Sequence, residues 1–358
     1  MKIVFFVKRF YTGKDLIEDR FGRLFYFPKI LAEMGHECDV IALDTKNSAA
    51  IDIRQDDVRF RTLTKRSFWR LLSPARLCSK FGLSDVDLVF SSGDSYYGYL
   101  GLRLARHLSA KAVFDIYDDY AHFGSNKLPF MRSMLTSAAS ESDLLVCASE
   151  PIRHAYSALQ ANAVLLQNGV DNNIFAPKDK KSARSSAGLG NDEIVVGYCG
   201  SIHDLRGIDD LIAAVEILRT QGRDVKLLLA GREFGEADLK RPWIDYRGMV
   251  GQDEVVTLIN ACDVVTIPYK DTDLIRMTNA CKLMEYFACN VPVVVTDVSD
   301  YASYFPERFG CVAKPSDPAS LAEAISNQLE NGNVVDADAV ISWEKLTAQL
   351  DADVRRLF

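Results

Sequence analysis

Short apolar runs that alternate with helix-forming stretches constrain the fold of this chain more than any other feature. Five runs fall in the first half, from IVFFV (3–7) to DLLVCAS (143–149), and a second series extends from IVVGYC (194–199) to VPVVVT (291–296). Such runs are typical of strands buried on both faces, and the helices between them favour parallel pairing. At 358 residues the chain exceeds what one core usually supports. The sequence therefore predicts an α/β fold with two Rossmann-like domains.

The two series are separated by QNGVDNNIFAP (167–177), whose Asn-Gly dipeptide and closing proline are typical of an ordered connector. We predict an N-terminal domain over residues 1–168, a C-terminal domain over residues 169–340, and a terminal helix within residues 341–358. Ligands of parallel sheets bind beyond the carboxyl ends of the strands. A cleft between the two predicted domains is therefore the expected place for a binding site.

Composition narrows the class of protein. The net charge of −7 gives no overall attraction to nucleic acid, so no nucleic-acid partner is expected. The eight cysteines are scattered without a C-x-x-C pair, as expected for reduced thiols of a cytoplasmic protein. The first seven residues, MKIVFFV, are too few to form a signal peptide or a membrane span and are predicted to form a strand.

One basic and aromatic segment, residues 59–81 (RFRTLTKRSFWRLLSPARLCSKF), has seven basic residues and no acidic one. Two interpretations are open. The segment can be an interfacial element on an anionic membrane, which would make the protein a peripheral membrane protein. Alternatively, it is an ordinary helix whose apolar face packs on the sheet, although Pro74 interrupts any long amphipathic helix.

Residues 279–297 (NACKLMEYFACNVPVVVTD) predict a helix that begins at Ala280, after Asn279 as N-cap, and leads into a buried strand. Lys282, in the first turn, opposes the helix dipole, and an anionic ligand would explain its presence. Glu285 can accept hydrogen bonds from a sugar diol. A solvated lysine–glutamate pair is the ordinary alternative.

A second cation is predicted near this helix. The loop GSIHDLRG (200–207) follows a strand, and Arg206 can bind a diphosphate through its two-pronged guanidinium group. The loop lacks the G-x-G-x-x-G spacing of nicotinamide-binding proteins, which argues against a dehydrogenase.

Four stretches resemble the retaining glycosyltransferases of family 4, which have the two-domain GT-B fold. They are NGVDNNIFAP (168–177), residues 200–211, YRGMV (246–250) and KLMEYFACNVPVVV (282–295). The resemblance implies two Rossmann-like domains that face a central cleft, with the C-terminal helix crossing back to the N-terminal domain. It also implies a nucleotide diphosphate-sugar donor in the C-terminal domain and an acceptor on the N-terminal domain.

The resemblance implies roles for individual residues. Arg206 and Lys282 would stabilise the charge of the leaving diphosphate, and Asp118, at the acidic position of the family's His-Asp pair, would orient or deprotonate the acceptor hydroxyl. Three sets of residues would contact the donor. They are Gly200, Ser201, Cys281 and Leu283 near the diphosphate, Glu285 at the ribose with Gly248, Met249 and Val250 beside the base, and Thr278 and Asn279 near the sugar.

This sequence departs from the family pattern mainly at positions that affect which donor sugar is bound. Met277 occupies the position of the acidic residue that usually contacts the donor sugar, and Tyr117 occupies that of a histidine. Asp115, Asp119 and His122 are further candidates beside Asp118. These differences leave the identity of the sugar open and do not remove the diphosphate site.

The predicted function is a retaining glycosyltransferase that uses a UDP- or GDP-sugar and requires no cofactor and no metal. The expected acceptor is a hydroxyl of a glycan, a lipid-linked glycan or a small molecule, in cell-surface polysaccharide or glycoconjugate biosynthesis. We interpret the D-x-D of Asp271 and Asp273 as a polar loop, since a lone D-x-D is a weak metal signal. A nucleotide-sugar epimerase of the same fold and a non-catalytic two-lobed binding protein are the alternatives.

Overall fold

The computed structural model describes residues 1–11, 13–46, 48–64, 73–120, 128–235 and 237–358. These residues form two compact units. Unit 1 consists of Met1–Gly169, Met277–Asn279 and Trp343–Phe358. Unit 2 consists of Val170–Arg276 and Ala280–Ser342.

Unit 1 is built on an eight-stranded sheet. The strands of unit 1 are, in chain order, β1 (Lys2–Lys8), β2 (Phe10–Tyr11), β3 (Lys14–Asp15), β4 (Glu37–Asp44), β5 (Asp52–Gln55), β6 (Val58–Thr64), β7 (Leu88–Ser92), β8 (Lys111–Ile116), β9 (Leu144–Cys147) and β10 (Ala163–Leu165). The spatial order of the sheet is β10-β9-β8-β7-β1-β4-β6-β5, and only the β5–β6 pair is antiparallel. The strands β2 and β3 form a separate antiparallel pair. The run from Ile3 to Val7 is fully buried at the centre of the large sheet, because both faces of a parallel sheet are covered by helices.

The helices that cover this sheet begin at residues of different types, and some of them have a side-chain cap. They are α1 (Arg23–Glu33), α2 (Pro74–Phe81), α3 (Ser95–Leu108), α4 (Pro129–Glu141) and α5 (Glu150–Tyr156). The Asp94 side chain accepts a hydrogen bond from the Tyr96 amide at the start of α3, and the Ser149 hydroxyl accepts one from the Ile152 amide at the start of α5.

Unit 2 is built on a six-stranded parallel sheet. Its strands are β11 (Ile194–Cys199), β12 (Val225–Ala230), β13 (Ile244–Tyr246), β14 (Val264–Ile267), β15 (Val293–Thr296) and β16 (Val312–Ala313), in the spatial order β13-β12-β11-β14-β15-β16. Its helices are α6 (Lys180–Ala187), α7 (Ile208–Thr220), α8 (Gln252–Ala261), α9 (Asp273–Arg276), α10 (Cys281–Ala288) and α11 (Pro318–Asn331).

The terminal helix α12 (Trp343–Arg355) belongs to unit 1. Its Trp343 ring stacks on Tyr26 of α1 with a centroid distance of 5.3 Å, and the Asp351 carboxylate lies 2.8 Å from Nε2 of His36. The predicted fold class, with two Rossmann-like sheets and a C-terminal helix on the first, is confirmed.

The basic segment 59–81 is not one helix. Its first residues lie in β6, where the Arg61 side chain is buried against Asp39, and the exposed Arg59 pairs with Asp52 at 3.0 Å. Residues 65–72 lie outside the described residues, and α2 begins only at Pro74. The helix interpretation is wrong for residues 59–64, because they form part of β6 and their backbone pairs with β4. Attachment to a membrane stays a prediction.

Two further findings concern the class of protein. All eight cysteines are free thiols. Across the residues that the structure describes, none of the helices is both long enough and apolar enough to cross a membrane.

Candidate functional site

Helix α10, which carries Lys282 and Glu285, begins one residue later than predicted. Its cap is Ala280, which makes no side-chain hydrogen bond, so the prediction of Asn279 as N-cap is wrong. The Asn279 side-chain oxygen instead accepts a hydrogen bond from the Asn168 amide at 2.9 Å, and the Asn279 carbonyl accepts one from the Asn168 side chain at 2.8 Å. This exchange within unit 1 uses the oxygen that would otherwise cap the helix.

The Lys282 ammonium lies on an aromatic surface at the carboxyl edge of the unit 2 sheet. Its Nζ is 4.0 Å from the ring centroid of Tyr198, near the end of β11, and 5.3 Å from that of Tyr269, which follows β14. The strands β11 and β14 are parallel neighbours, so their carboxyl ends bring these two rings together. Both rings are buried, and cation–π attraction holds the ammonium over them.

Arg206 lies against the same tyrosine. Its guanidinium carbon is 4.3 Å from the ring centroid of Tyr269. It belongs to a short 3-10 helix, Asp204–Arg206, whose cap His203 accepts a hydrogen bond from the Leu205 amide on Nδ1. The structure therefore gathers the two cations that the sequence places 76 positions apart, and the Tyr269 ring connects them.

The electrostatic effect of the two cations appears in the Tyr269 phenol. Burial acts to raise the pKa of Tyr269, but Arg206 and Lys282 outweigh burial and hold the pKa below its ordinary value. Burial raises the pKa of the neighbouring Tyr198 phenol well above its ordinary value. The potential at Tyr269 is therefore positive, which suits an anionic ligand.

Glycine residues let the backbone approach closely at this edge. A Cβ on Gly200 (φ 156°) would overlap the Lys282 ammonium, and a Cβ on Gly231 (φ 140°) would overlap the Gly200 carbonyl. Gly200 donates its amide hydrogen to the Ala230 carbonyl at 2.7 Å, which fixes the loop on β12. The Ser201 carbonyl accepts a hydrogen bond from the Tyr198 hydroxyl at 2.9 Å.

Glu285 lies one turn beyond Lys282 on α10 and is half-buried. Its negative charge contributes to raising the pKa of Cys199, although burial is the main cause. The next residue, Tyr286, is fully buried and accepts a hydrogen bond from the Cys199 amide at 3.0 Å. This bond ties the helix to the end of β11.

The two other residues of α10 that are predicted to lie near the diphosphate, Leu283 and Cys281, differ in burial. The Leu283 side chain is buried in the core of unit 2, and its amide donates to the Ala280 carbonyl at 3.0 Å. Leu283 therefore supports the helix turn, and its role beside the diphosphate stays a prediction. Cys281 is partly exposed in the first turn.

The predicted base-binding loop is joined to the loop after β12. The Gly231 amide donates to the Gly248 carbonyl at 2.7 Å, and the Tyr246 hydroxyl donates to the Gly231 carbonyl at 3.0 Å. Gly248 adopts a φ of 65°, a left-handed conformation that favours glycine. The side chain of Met249 is 74% exposed, and that of Val250 packs partly against the core.

Three predicted residues belong to unit 1 and not to the unit 2 cluster: Asp118, Thr278 and Asn279. Asp118 is partly exposed just after β8, and its Oδ1 accepts a hydrogen bond from the Asp119 amide at 2.9 Å. Met277 packs in the core of unit 1, where its carbonyl accepts from the Ser149 hydroxyl at 2.8 Å.

The other acidic candidates near Asp118 differ in environment. Asp115 is fully buried, with its carboxylate held by both prongs of Arg23 at 2.8 and 3.1 Å and by Ser92 at 2.5 Å. Burial raises the pKa of Asp115, which Arg23 opposes. Asp115 is therefore a structural carboxylate, while His122 lies outside the described residues.

The D-x-D stretch has a partner of its own. Arg276 donates to both carboxylate oxygens of Asp271 at 2.6 and 2.8 Å and to Asp273 at 3.2 Å. Asp271 lies in a loop, as the sequence predicts, whereas Asp273 begins α9, so the loop prediction is wrong for Asp273.

Tyr198 and Tyr269 are the functional candidates that sequence reasoning missed. Each is an aromatic residue at or just beyond the carboxyl end of a predicted strand, and this position is the signal that could have found them. Their role depends on the pairing of β11 with β14, which no local pattern reveals.

Comparison with known proteins places the two halves of the chain in one group of enzymes. Residues 193–331 match the domain family described as Glycosyl transferases group 1, and residues 29–173 match the one described as Glycosyltransferase Family 4. The chain belongs to glycosyltransferase family 4. The predicted membership of a glycosyltransferase family is confirmed, because both halves of the chain match glycosyltransferase domains.

The curated relatives of this family 4 chain include D-inositol 3-phosphate glycosyltransferases. That of Stackebrandtia nassauensis is 29% identical over 212 residues, which cover 54% of this chain and 45% of the relative. That of Rhodococcus erythropolis is 30% identical over 174 residues, covering 44% of this chain and 39% of the relative. The chain therefore spans about half the length of the curated relatives that it matches, or less.

Solved structures show the same fold. Sucrose-phosphate synthase from Thermosynechococcus elongatus superimposes with a TM-score of 0.75 at 17% identity, covering 100% of this chain and 99% of that one. HepE of Anabaena, solved in complex with UDP and glucose, gives 0.73 at 16% identity, with 99% of both chains covered. At this identity the likeness establishes the GT-B fold of the family 4 chain and nothing finer.

Proposed function

We propose that this protein transfers a sugar from a nucleotide diphosphate donor, bound by unit 2, to a hydroxyl of an acceptor bound by unit 1. The transfer retains the configuration of the anomeric carbon and needs no metal. The observation that carries the proposal is the convergence of Arg206 and Lys282 on Tyr269 at the carboxyl edge of the unit 2 sheet.

The chemistry follows from where charge develops. When the bond between the sugar and the phosphate breaks, negative charge grows on the leaving diphosphate. Cations that are already fixed in place stabilise this charge without reorganisation at the moment of reaction. The Arg206 guanidinium group can donate hydrogen bonds to two phosphate oxygens, and the Lys282 ammonium adds a compact positive charge that lies over two tyrosine rings. Two fixed cations can supply the neutralisation that a metal provides in other transferases.

The rest of the donor has candidate partners in unit 2. Glu285, one turn beyond Lys282, is proposed to accept hydrogen bonds from the ribose hydroxyls. The loop at Gly248, Met249 and Val250 is proposed to border the base. UDP is our first choice of nucleotide, with GDP second, since the similar HepE structure contains UDP.

The acceptor half of the reaction is assigned to unit 1. Asp118, partly exposed after β8, is proposed to orient the attacking hydroxyl. The curated relatives are named for D-inositol 3-phosphate, so a polyol or its phosphate is one acceptor class. A glycan or lipid-linked glycan of the cell surface is another, and the proposed setting is cytoplasmic.

Calorimetric titration with UDP and GDP, followed by assays of nucleotide release from UDP- and GDP-sugars, tests the donor proposal. Glu285→Ala should weaken nucleotide binding. Lys282→Ala should mainly lower turnover of the nucleotide-sugar, because its charge acts on the leaving group, and should also weaken binding of free UDP, which carries the charge of that group. Lys226→Ala, which removes a lysine paired with Glu193 elsewhere in unit 2, is the matched control.

Several outcomes would refute the proposal. Binding of neither nucleotide by the wild-type protein would rule out the transferase, as would unchanged kinetics in both site variants. Loss of activity in EDTA, restored by a divalent cation, would refute the metal-independent part. Interconversion of two nucleotide-sugars without acceptor would identify an epimerase instead.

A further inference from the structure

A lysine at the end of β1 lies among three tyrosines in unit 1. None of the roles proposed above involves this lysine. The Nζ atom of Lys8 is 5.3 Å from the ring centroid of Tyr120, 5.6 Å from that of Tyr97 and 5.9 Å from that of Tyr117. All three distances are within the range of cation–π attraction. The ammonium is therefore held in an aromatic surround, with 22% of its side chain exposed.

The topology of the sheet builds this cluster. The strands β8, β7 and β1 are neighbours, and the cluster residues follow or end these strands at their carboxyl edge. Gly93, between β7 and α3, adopts a φ of 134°, and a Cβ there would lie 3.0 Å from both the Lys8 side chain and the Tyr97 ring. The glycine thus lets the lysine and the ring pack closely. The carboxyl edge of a parallel sheet is the usual place for a ligand.

The charges in this cluster balance. The Lys8 ammonium is 3.6 Å from the Asp94 carboxylate, whose side chain is 30% exposed. Burial acts to lower the pKa of Lys8, but Tyr117 and Asp94 outweigh it and raise the pKa, so Lys8 is charged at neutral pH. Burial raises the pKa of all three tyrosines, which are neutral phenols. The net charge of the lysine, the aspartate and the phenols is therefore zero.

A further negative charge lies close by. The charge of Asp118 contributes to raising the pKa of both Tyr117 and Tyr120, after the larger effect of burial. A phosphate entering this cluster would thus meet a cation already compensated by Asp94 and a second carboxylate. Like charges and unpaired groups discriminate against the wrong ligand.

We propose that Lys8, Asp94 and the partly exposed Tyr117 bind the acceptor as an unphosphorylated sugar or polyol ring. This inference rests on the proposed transferase function and names the chemical class of its acceptor. Lys8 has three N–H donors and Asp94 several lone pairs, so both can bond to neighbouring hydroxyls while still attracting each other. The partly exposed Tyr117 provides apolar surface for the C–H face of a sugar ring, while the buried rings of Tyr97 and Tyr120 hold Lys8 in place.

Ligand-observed saturation-transfer NMR on the full chain tests this inference. The unphosphorylated probes are glucose, methyl galactosides, methyl mannosides and myo-inositol, and the phosphorylated probes are glucose 6-phosphate and myo-inositol 1-phosphate. We expect at least one unphosphorylated probe to bind, and each phosphorylated probe to bind about tenfold more weakly than its parent, or worse. UDP binding is measured by calorimetry on the same samples.

Two variants separate the charge argument from simple disruption. Lys8→Met keeps the length of the side chain and should weaken binding of the unphosphorylated probe about tenfold or more while UDP affinity is unchanged. Asp94→Asn keeps an N-cap for α3 and leaves the Lys8 charge uncompensated, so the preference should shift towards the phosphorylated probes. Lys29→Met, which removes an exposed lysine paired with Glu33 in the same unit, is the control.

The inference is overturned if no unphosphorylated probe binds, if a phosphorylated probe binds as tightly as its parent, or if Lys8→Met behaves like Lys29→Met. An unshifted preference in Asp94→Asn overturns it as well. If the wild-type protein binds sugar but not UDP, the result counts against the proposed transferase function and not against this inference.

Discussion

Replacing Gly200 with alanine tests whether Lys282 must lie directly over this glycine. The new methyl group would occupy the place of the Lys282 ammonium and would also lie 3.0 Å from Lys282 Cε and 3.1 Å from the Tyr198 hydroxyl. The lysine is the end of a flexible side chain, so it can move away at little cost to the fold. Movement takes its charge off the two tyrosine rings and away from the predicted diphosphate.

The expected effect of Gly200→Ala has two parts, a loss of folding stability and a loss of nucleotide affinity. An alanine at the φ of 156° found at Gly200 costs about 1–3 kcal/mol of folding stability, because side chains seldom adopt this conformation. A hydrogen bond to a charged group contributes about 1.5–3 kcal/mol, so its loss raises the dissociation constant for the nucleotide roughly 10- to 100-fold. Gly222→Ala, at a φ of 89° with no atom within 4 Å of the new Cβ, isolates the backbone part.

The assay is calorimetric titration with UDP, with thermal unfolding measured on the same proteins. Gly200→Ala and Gly222→Ala should both lower the unfolding temperature, but only Gly200→Ala should weaken nucleotide binding. Gly231→Ala offers a contrast, because its Cβ would overlap the Gly200 carbonyl, a backbone group that cannot rotate away. It should destabilise the fold more than either of the other two.

A double-mutant cycle decides whether the effect passes through Lys282. In the Lys282→Ala background, Gly200→Ala should no longer weaken nucleotide binding, since no ammonium remains to be displaced. An equal loss of affinity in both backgrounds would show that Gly200 acts by another route. Wild-type affinity in Gly200→Ala alone would refute the placement of Lys282 at the diphosphate.

Two more predictions concern stability. Burial holds the pKa of His36 below its ordinary value despite the opposing charge of Asp351, so the folded state binds this proton less readily than the unfolded chain. The contribution of His36 to stability should therefore be constant above about pH 6.5 and fall as the pH drops below it, by at most about 1.4 kcal/mol per pH unit; thermal unfolding of His36→Gln should lose this part of the pH dependence. Arg23→Met leaves the fully buried Asp115 without its cation and should cost about 3–5 kcal/mol in urea unfolding, whereas the exposed Arg59→Met should change little.

The strands that form the two sheets are predictable because their signal is local. Runs such as residues 3–7 and 225–230 are apolar enough to predict buried strands, and the helices between such runs favour parallel pairing of the strands. The strands at the edges of the sheets are less evident. The strand β6 carries Arg59 and Arg61, and its apolar residues resemble those of a helix until its pairing with β4 is known.

At the proposed donor site, the sequence by itself determined the residue types and their order. Lys282 and Glu285 on one short helix, and Arg206 between two glycines, follow from spacing and from the resemblance to family 4. The start of that helix does not follow, because Asn279 is a good N-cap until the distant Asn168 uses its side chain.

Only the tertiary structure decided which residues surround these charges. Tyr198 and Tyr269 are 71 positions apart, and Lys8, Asp94 and Tyr117 follow or end three different strands. Residues at the carboxyl ends of parallel strands meet only when the strands pair in a particular order and register, and that pairing is non-local. The sequence thus identified the helix that carries the Lys282 charge, and the packing of the sheets determined the aromatic surface that holds it.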